Sequence, residues 1–348
     1  MFYLDLNLLN ISDARDLHCE KLGCYIRIRL GRKGCGNCSI CKSTFQSISN
    51  LDRRIASFFT DQIINDLLRG TPDQLIKLNN RFWKIFFPTY SFPDWYPYFN
   101  KKHIHANYNG PHKVQAKEVF EIIKQLEEFL DYDWFNNKKN KHYSAYDLVK
   151  GLDRNTCTYC NRSYTSTVIV KNTGEKIIRP TLDHWFPQSQ YPLLAVSFQN
   201  LIPSCYNCNS SIKGAVDLNL TDHIHPYVDQ DQIREFKFGY FYSGKLDEYR
   251  ISIQDINYKV SRARQTLQSM FLDEVYNSHH SELKDLITLK KSYSKSYIKS
   301  IQKIMGNKLP EEEIYRLLFG VYYSEADFHK RPLSKFKYDI LKQLDMID

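Results

Sequence analysis

Nine cysteines fall into two blocks with none between them: Cys19, Cys24, Cys35, Cys38 and Cys41 early, and Cys157, Cys160, Cys205 and Cys208 in the centre. Cysteines that serve only packing scatter along core stripes, so this clustering reads as metal binding. CTYC at 157–160 and CYNC at 205–208 form a CxxC…CxxC pattern with 44 residues between the pairs. Each CxxC makes a tight knuckle that aims two thiolates at one ion, and two knuckles complete a tetrahedral structural zinc site. A redox pair is the rival reading, but no thioredoxin-like βαβ pattern accompanies these motifs. In the early block, CGNCSIC at 35–41 supplies three cysteines and needs a fourth from upstream, Cys19 or Cys24. Such a set suits zinc, and an iron–sulfur cluster is its rival.

Between the central knuckles lies LDHWFPQSQYPLLAVSFQNLIPSC, and the second knuckle runs directly into CNSSIKG. Phosphodiester hydrolysis needs an activated water, a cation on the phosphate and stabilisation of the departing oxygen. His184 titrates near neutrality and can take a proton from water. Asp183, its neighbour, points to the opposite face of a strand unless a twist or bulge brings the two together. Asn209 offers a neutral amide oxygen, a hard ligand suited to Mg2+. Lys213 follows four residues later, on the same helix face, within reach of a phosphate.

These pieces resemble the HNH (ββα-metal) endonuclease superfamily over roughly residues 155–215. The matching residues are Asp183-His184, Pro187, Asn200-Leu201 after a loop, Asn209 directly after the last knuckle cysteine, and Lys213-Gly214. The resemblance implies His184 as general base and Asp183 with Asn209 holding one Mg2+ or Mn2+. It also implies Asn200 fixing the loop that orients the histidine, and DNA cut to 5′-phosphate and 3′-hydroxyl ends. Asn209 stands where many members carry a final histidine, which favours Mg2+ or Mn2+ over nickel or zinc. His223 and His225 read as loop packing, and Trp185 and Phe186 as core. The early block is similar to the zinc-binding element of RecQ-family helicases, which favours Cys19 over Cys24 as fourth ligand. HNH cores with unrelated helical flanks resemble effector nucleases of bacterial anti-phage systems, including the Septu-type and retron-associated systems that pair a nuclease with an ATPase. DNA and such an ATPase are the implied partners. A stand-alone restriction or homing nuclease, or a silent two-zinc DNA-binding or scaffold module, are the alternatives.

The elements that must position these residues follow from pattern and composition. The 348 residues are 42% hydrophobic and 25% charged, which fits a packed protein and excludes wholesale disorder. No run of eighteen apolar residues exists, and MFYLDLNLLN carries acid before any base and no cleavage site. A cytoplasmic location with reduced cysteines is therefore expected. Lysine and arginine exceed the acids by nine, with +3 in each of 1–50, 51–150 and 231–348 and none in 151–230. The basic excess thus surrounds the neutral segment that carries the chemistry.

The expected fold is α+β in four regions. Residues 1–50 form a cysteine-rich zinc element in which YIRIRL, 25–30, alternates like a strand, placing Arg27 and Arg29 on one DNA-facing side near Arg32 and Lys33. Residues 51–150 are helical, interrupted by the aromatic, proline-bearing FPTYSFPDWYPYFN. Residues 151–230 hold the zinc-bound HNH core. Residues 231–348 open with a hairpin turning near Ser243-Gly244 and continue as helices. There Lys291, Lys295, Lys299 and Lys303, at four-residue steps, form one helical stripe able to track a phosphate backbone.

Overall fold

The computed structural model describes residues 1–91, 113–214, 216–254, 261–292, 295–304 and 309–347. Helix α1 (Leu9–Arg29) occupies the place of the expected strand. Its buried residues Ile11, Ala14, His18, Leu22 and Tyr25 recur at three and four, so the alternation of YIRIRL is the tail of a longer helical stripe. The helix stops where Gly31 takes a positive φ of 73° and the Arg32 amide returns to the Arg27 carbonyl.

The next region is helical, as its periodicity predicts. Asp52 caps α2 (Arg53–Phe58) and Thr60 caps α3 (Asp61–Arg69). A Thr71–Gln74 capping box with Pro72 in the first turn starts α4 (Pro72–Phe86). After it come α5 (Lys113–Leu130), α6 (Tyr132–Asn136) and α7 (Ala145–Leu152). Most of the aromatic stretch, 92–100, lies outside the described residues.

The described strands form three separate antiparallel pairs. They are β1 (Val168–Ile169) with β2 (Lys176–Ile178), β3 (Thr181–His184) with β4 (Leu201–Ser204), and β5 (Lys237–Ser243) with β6 (Glu248–Gln254). Helix α8 (Gln230–Glu235) precedes the last hairpin, which turns after Ser243 as expected. The chain then continues through α9 (Arg262–Ser269), α10 (Leu272–Asn277), α11 (His280–Ser292), α12 (Lys295–Ile304), α13 (Glu311–Phe319) and α14 (Ser334–Gln343). The lysine stripe is therefore shared between two elements, Lys291 on α11 and Lys295, Lys299 and Lys303 on α12. Among the described residues no helix is long and apolar enough to cross a membrane.

One hydrophobic core runs from Leu4 on the N-terminal strap through Trp83, Phe129, Trp185 and Phe198 to Phe336 and Ile340 of α14. The strand pairs are too small to stand alone and depend on this shared core.

Candidate active site and metal centres

Two four-cysteine clusters form, and in each the sulfurs lie within 4.8 Å of one another. A tetrahedral zinc with Zn–S bonds of about 2.3 Å requires sulfurs about 3.8 Å apart. The Cys160–Cys205 distance is 3.9 Å, and Cys24–Cys35 is 3.8 Å. Both clusters therefore have the donor set for zinc, and in the early one Cys24 and Cys41, 2.7 Å apart, would have to part by about 1 Å to share the ion. All four central cysteines are buried. Burial drives the Cys157 thiol well above its ordinary range, while the neighbouring Cys157 thiol draws Cys160 down to about 7.

The early cluster is Cys24, Cys35, Cys38 and Cys41, so Cys24 and not Cys19 is placed to be the fourth ligand. Five residues on a helix of 3.6 per turn span about 500°, so the two cysteines face directions about 140° apart. Cys19 is half-buried elsewhere, its thiol raised to about 11 by burial. Gly34 lets the loop close: a Cβ there would stand 2.5 Å from Cys24 Sγ and 2.6 Å from Cys41 Sγ. The arginines of this region do not form a free patch. Arg27 pairs with Asp61 at 2.8 Å, Arg29 donates to the Gln46 and Glu128 carbonyls, and Arg32 to those of Phe59 and Ala56. They staple the cysteine element to the helices behind it.

The strand pair between the central knuckles aligns Asp183 with Ile202 and His184 with Leu201, without a bulge. The two side chains therefore take opposite faces of β3. His184 is half-buried, edge-on to the Tyr132 ring at 4.6 Å. Its Nε2 lies 2.9 Å from the Ala195 carbonyl. A carbonyl only accepts, so Nε2 carries the proton and Nδ1 has the lone pair. Nδ1 makes no hydrogen bond among the described residues and is open to solvent. Burial brings the His184 pKa down to about 4, so the ring is neutral at physiological pH.

Asp183 is enclosed on the other face. Tyr159, inside the first knuckle, donates its hydroxyl to Asp183 Oδ2 at 2.5 Å, and Lys213 Nζ lies 3.3 Å from Oδ1. Lys213 also donates to the His184 carbonyl at 2.7 Å. Desolvation raises the Asp183 pKa, opposed by Lys213 and the Tyr159 bond. Lys213 is only 1% exposed, so it is an internal counter-ion and does not project towards a phosphate as expected.

Asn200 is fully buried and ties the intervening loop: Oδ1 accepts from the Phe186 amide, and Nδ2 donates to the Phe186 and Leu194 carbonyls. After β4 the chain winds a π-helix (Asn207–Lys213) closed by the Gly214 amide on the Asn209 carbonyl. The Asn209 side chain is half-exposed and makes no hydrogen bond among the described residues. His225 packs on Trp185 at 4.5 Å, and His223 bonds Ser269, as loop packing requires. Tyr159 and Tyr132 were missed by sequence reasoning. The placement of Tyr159 between two ligand cysteines was the available signal.

Comparison with known proteins adds a relationship. The chain is a distant relative of the Septu protein PtuB of Bacillus thuringiensis. The two are 30% identical over 137 residues, 39% of this chain and 47% of PtuB. Protein ea31 of Escherichia phage lambda is likewise 30% identical, over 173 residues, 46% of this chain and 54% of ea31. The chain thus spans about half the length of the curated relatives it matches. No protein-family model and no solved structure matches it.

Proposed function

We propose that the chain is a metal-dependent HNH-type endonuclease that hydrolyses DNA phosphodiester bonds. The observation that carries this reading is His184. It sits at the end of a strand pair framed by two cysteine knuckles, with Nε2 held by the Ala195 carbonyl and Nδ1 open to solvent. That tautomer accepts a proton from a water placed at Nδ1, and the neutral ring is the reactive form at pH 7. Hydrogen bonds from Asn200 hold the loop that supplies the Ala195 carbonyl.

Asp183 and Asn209 are the residues that would hold Mg2+ or Mn2+. Two hard oxygen donors are a normal protein share when water and phosphate complete the octahedron. The Asp183 carboxylate has about four lone-pair sites, of which Tyr159 and Lys213 take two, and the Asn209 amide is unengaged. The donor types therefore suit a hard cation, with Asp183 enclosed on the face of β3 opposite His184. When bound, the ion would supply charge neutralisation at the phosphate and the leaving oxygen. Lys213 opposes the desolvation that raises the Asp183 pKa and fixes the main chain at His184.

The relationship to PtuB supports a place in a Septu-type anti-phage defence system, working with a partner protein such as an ATPase. A catalytically silent scaffold is the other class of function. Supercoiled-plasmid nicking in Mg2+ or Mn2+ tests between them. Wild type is expected to nick, and His184→Ala to lose about a hundred-fold or more in rate. Equal nicking by both proteins, free of contaminating nuclease, would remove His184 from the mechanism.

A further inference from the structure

Three consecutive main-chain carbonyls in the loop between β3 and β4 are each held by a different side chain. Asn200 Nδ2 lies 3.0 Å from the Leu194 oxygen, His184 Nε2 2.9 Å from that of Ala195, and His18 Nε2 2.8 Å from that of Val196. The first two side chains belong to the strand pair and its loop. His18 arrives from α1, 178 residues away in sequence.

His18 is fully buried, with the rings of Phe135, Tyr143 and Phe198 between 5.4 and 5.8 Å from its own. Its Nε2 faces a carbonyl and must donate, so its Nδ1 accepts from the Tyr143 hydroxyl at 3.2 Å. Burial draws its pKa down to about 4, which keeps this tautomer in place at physiological pH. A histidine needed only to fill space could be any apolar side chain. The atom that His18 holds sets it apart. The Ala195 and Val196 carbonyls flank the Val196 Cα with only the two backbone torsions of Val196 between them, so anchoring one limits where the other can lie.

We propose, resting on the reading of His184 as the general base, that His18 is a positioning residue for that base: it holds the Val196 carbonyl and thereby the loop whose Ala195 carbonyl orients the His184 ring. Cys24 lies six residues further along the same helix, in the early cluster. Helix α1 therefore connects the N-terminal cysteine element to the nuclease loop.

His18→Gln keeps an amide donor near the position of imidazole Nε2, whereas His18→Leu fills the volume without one. Both variants are expected to retain two metals per chain by elemental analysis. In plasmid nicking, the Leu variant is expected to lose about ten-fold or more in kcat with little change in KM, because a misplaced catalytic group costs rate before binding. The Gln variant is expected to recover most of that kcat. Independently of activity, hydrogen–deuterium exchange across 185–200 is expected to quicken in the Leu variant and not in the Gln variant. Absence of nicking by the wild type would remove the nuclease reading, while exchange still reports the clamp. Wild-type kcat in a metal-replete Leu variant, or identical exchange in all three proteins, overturns the proposal. If the Leu variant fails to fold, the Gln variant decides: retained kcat supports the role, and lost kcat with both metals bound overturns it.

Discussion

At the scale of single residues, Asp183 and His184 are chain neighbours in opposite environments. Asp183 and Lys213 form an ion pair in which each partner is almost wholly buried. Asp183→Ala strands the Lys213 ammonium, and removing one partner of such a pair costs about 3–5 kcal/mol. A shift of that size is expected in urea unfolding, so lost activity in this variant has to be read beside its stability. Tyr159→Phe is the more informative change. It is expected to keep the central zinc and cost about 1–3 kcal/mol, because a buried acceptor loses its donor. Zinc analysis together with denaturation measures both quantities. Buried histidines add a pH dependence. Burial puts His18 at about 4, and burial followed by the Arg262 charge puts His225 at about 3. Both lie below the ordinary value near 6.5, so the unfolded chain binds protons first as pH falls. Their contribution is complete above pH ~6.5 and is lost on descending towards pH ~4 for His18 and pH ~3 for His225, on the order of 3 and 5 kcal/mol respectively. Urea midpoints that did not fall between pH 7 and pH 5 would contradict the neutral, buried state of both rings.

Elements decide which cysteines meet. In α1, a strand reading of YIRIRL and a preference for Cys19 fail together. Once residues 9–29 are helical, Cys24 and not Cys19 faces the 35–41 loop. Cys24→Ser is accordingly expected to lose one metal per chain and Cys19→Ser none, as counted by elemental analysis. Gly34→Ala should also empty the early cluster alone, since its methyl group would collide with two ligand sulfurs. Loss of both metals would mean that the two centres are not independent. The second strand pair was more legible. Asp183, His184 and Asn200 lie at the strand ends and in the loop that their order implied. Lys213 was not legible, because a lysine on a short polar helix gives no sign that it points inward.

At the scale of the whole molecule, the central knuckle is a junction. The Phe2 amide bonds the Thr158 carbonyl, Tyr276 bonds that of Cys160, and Asn161 reaches the Phe328 and Arg331 carbonyls. Stripping the central zinc is therefore expected to expose the segment around 320–345 to protease as well as the knuckles themselves. Limited proteolysis before and after chelation reads this directly, and protection that survived loss of the central zinc would count against a junction. The charge distribution also changes meaning at this scale. Arg27, Arg29 and Arg32 are spent on internal contacts, and the lysine stripe is divided between α11 and α12.

The sequence by itself determined the two cysteine blocks, the helical second region, the terminal hairpin and the residues between the knuckles. Each is a local pattern, in which ligand spacing or hydrophobic period is written into adjacent positions. Tertiary structure alone decided the fourth ligand of the early cluster, the inward turn of Lys213, the Tyr159 bond to Asp183 and the reach of His18 to Val196. Those contacts join elements far apart in the chain, and no local period encodes which faces a common core will press together.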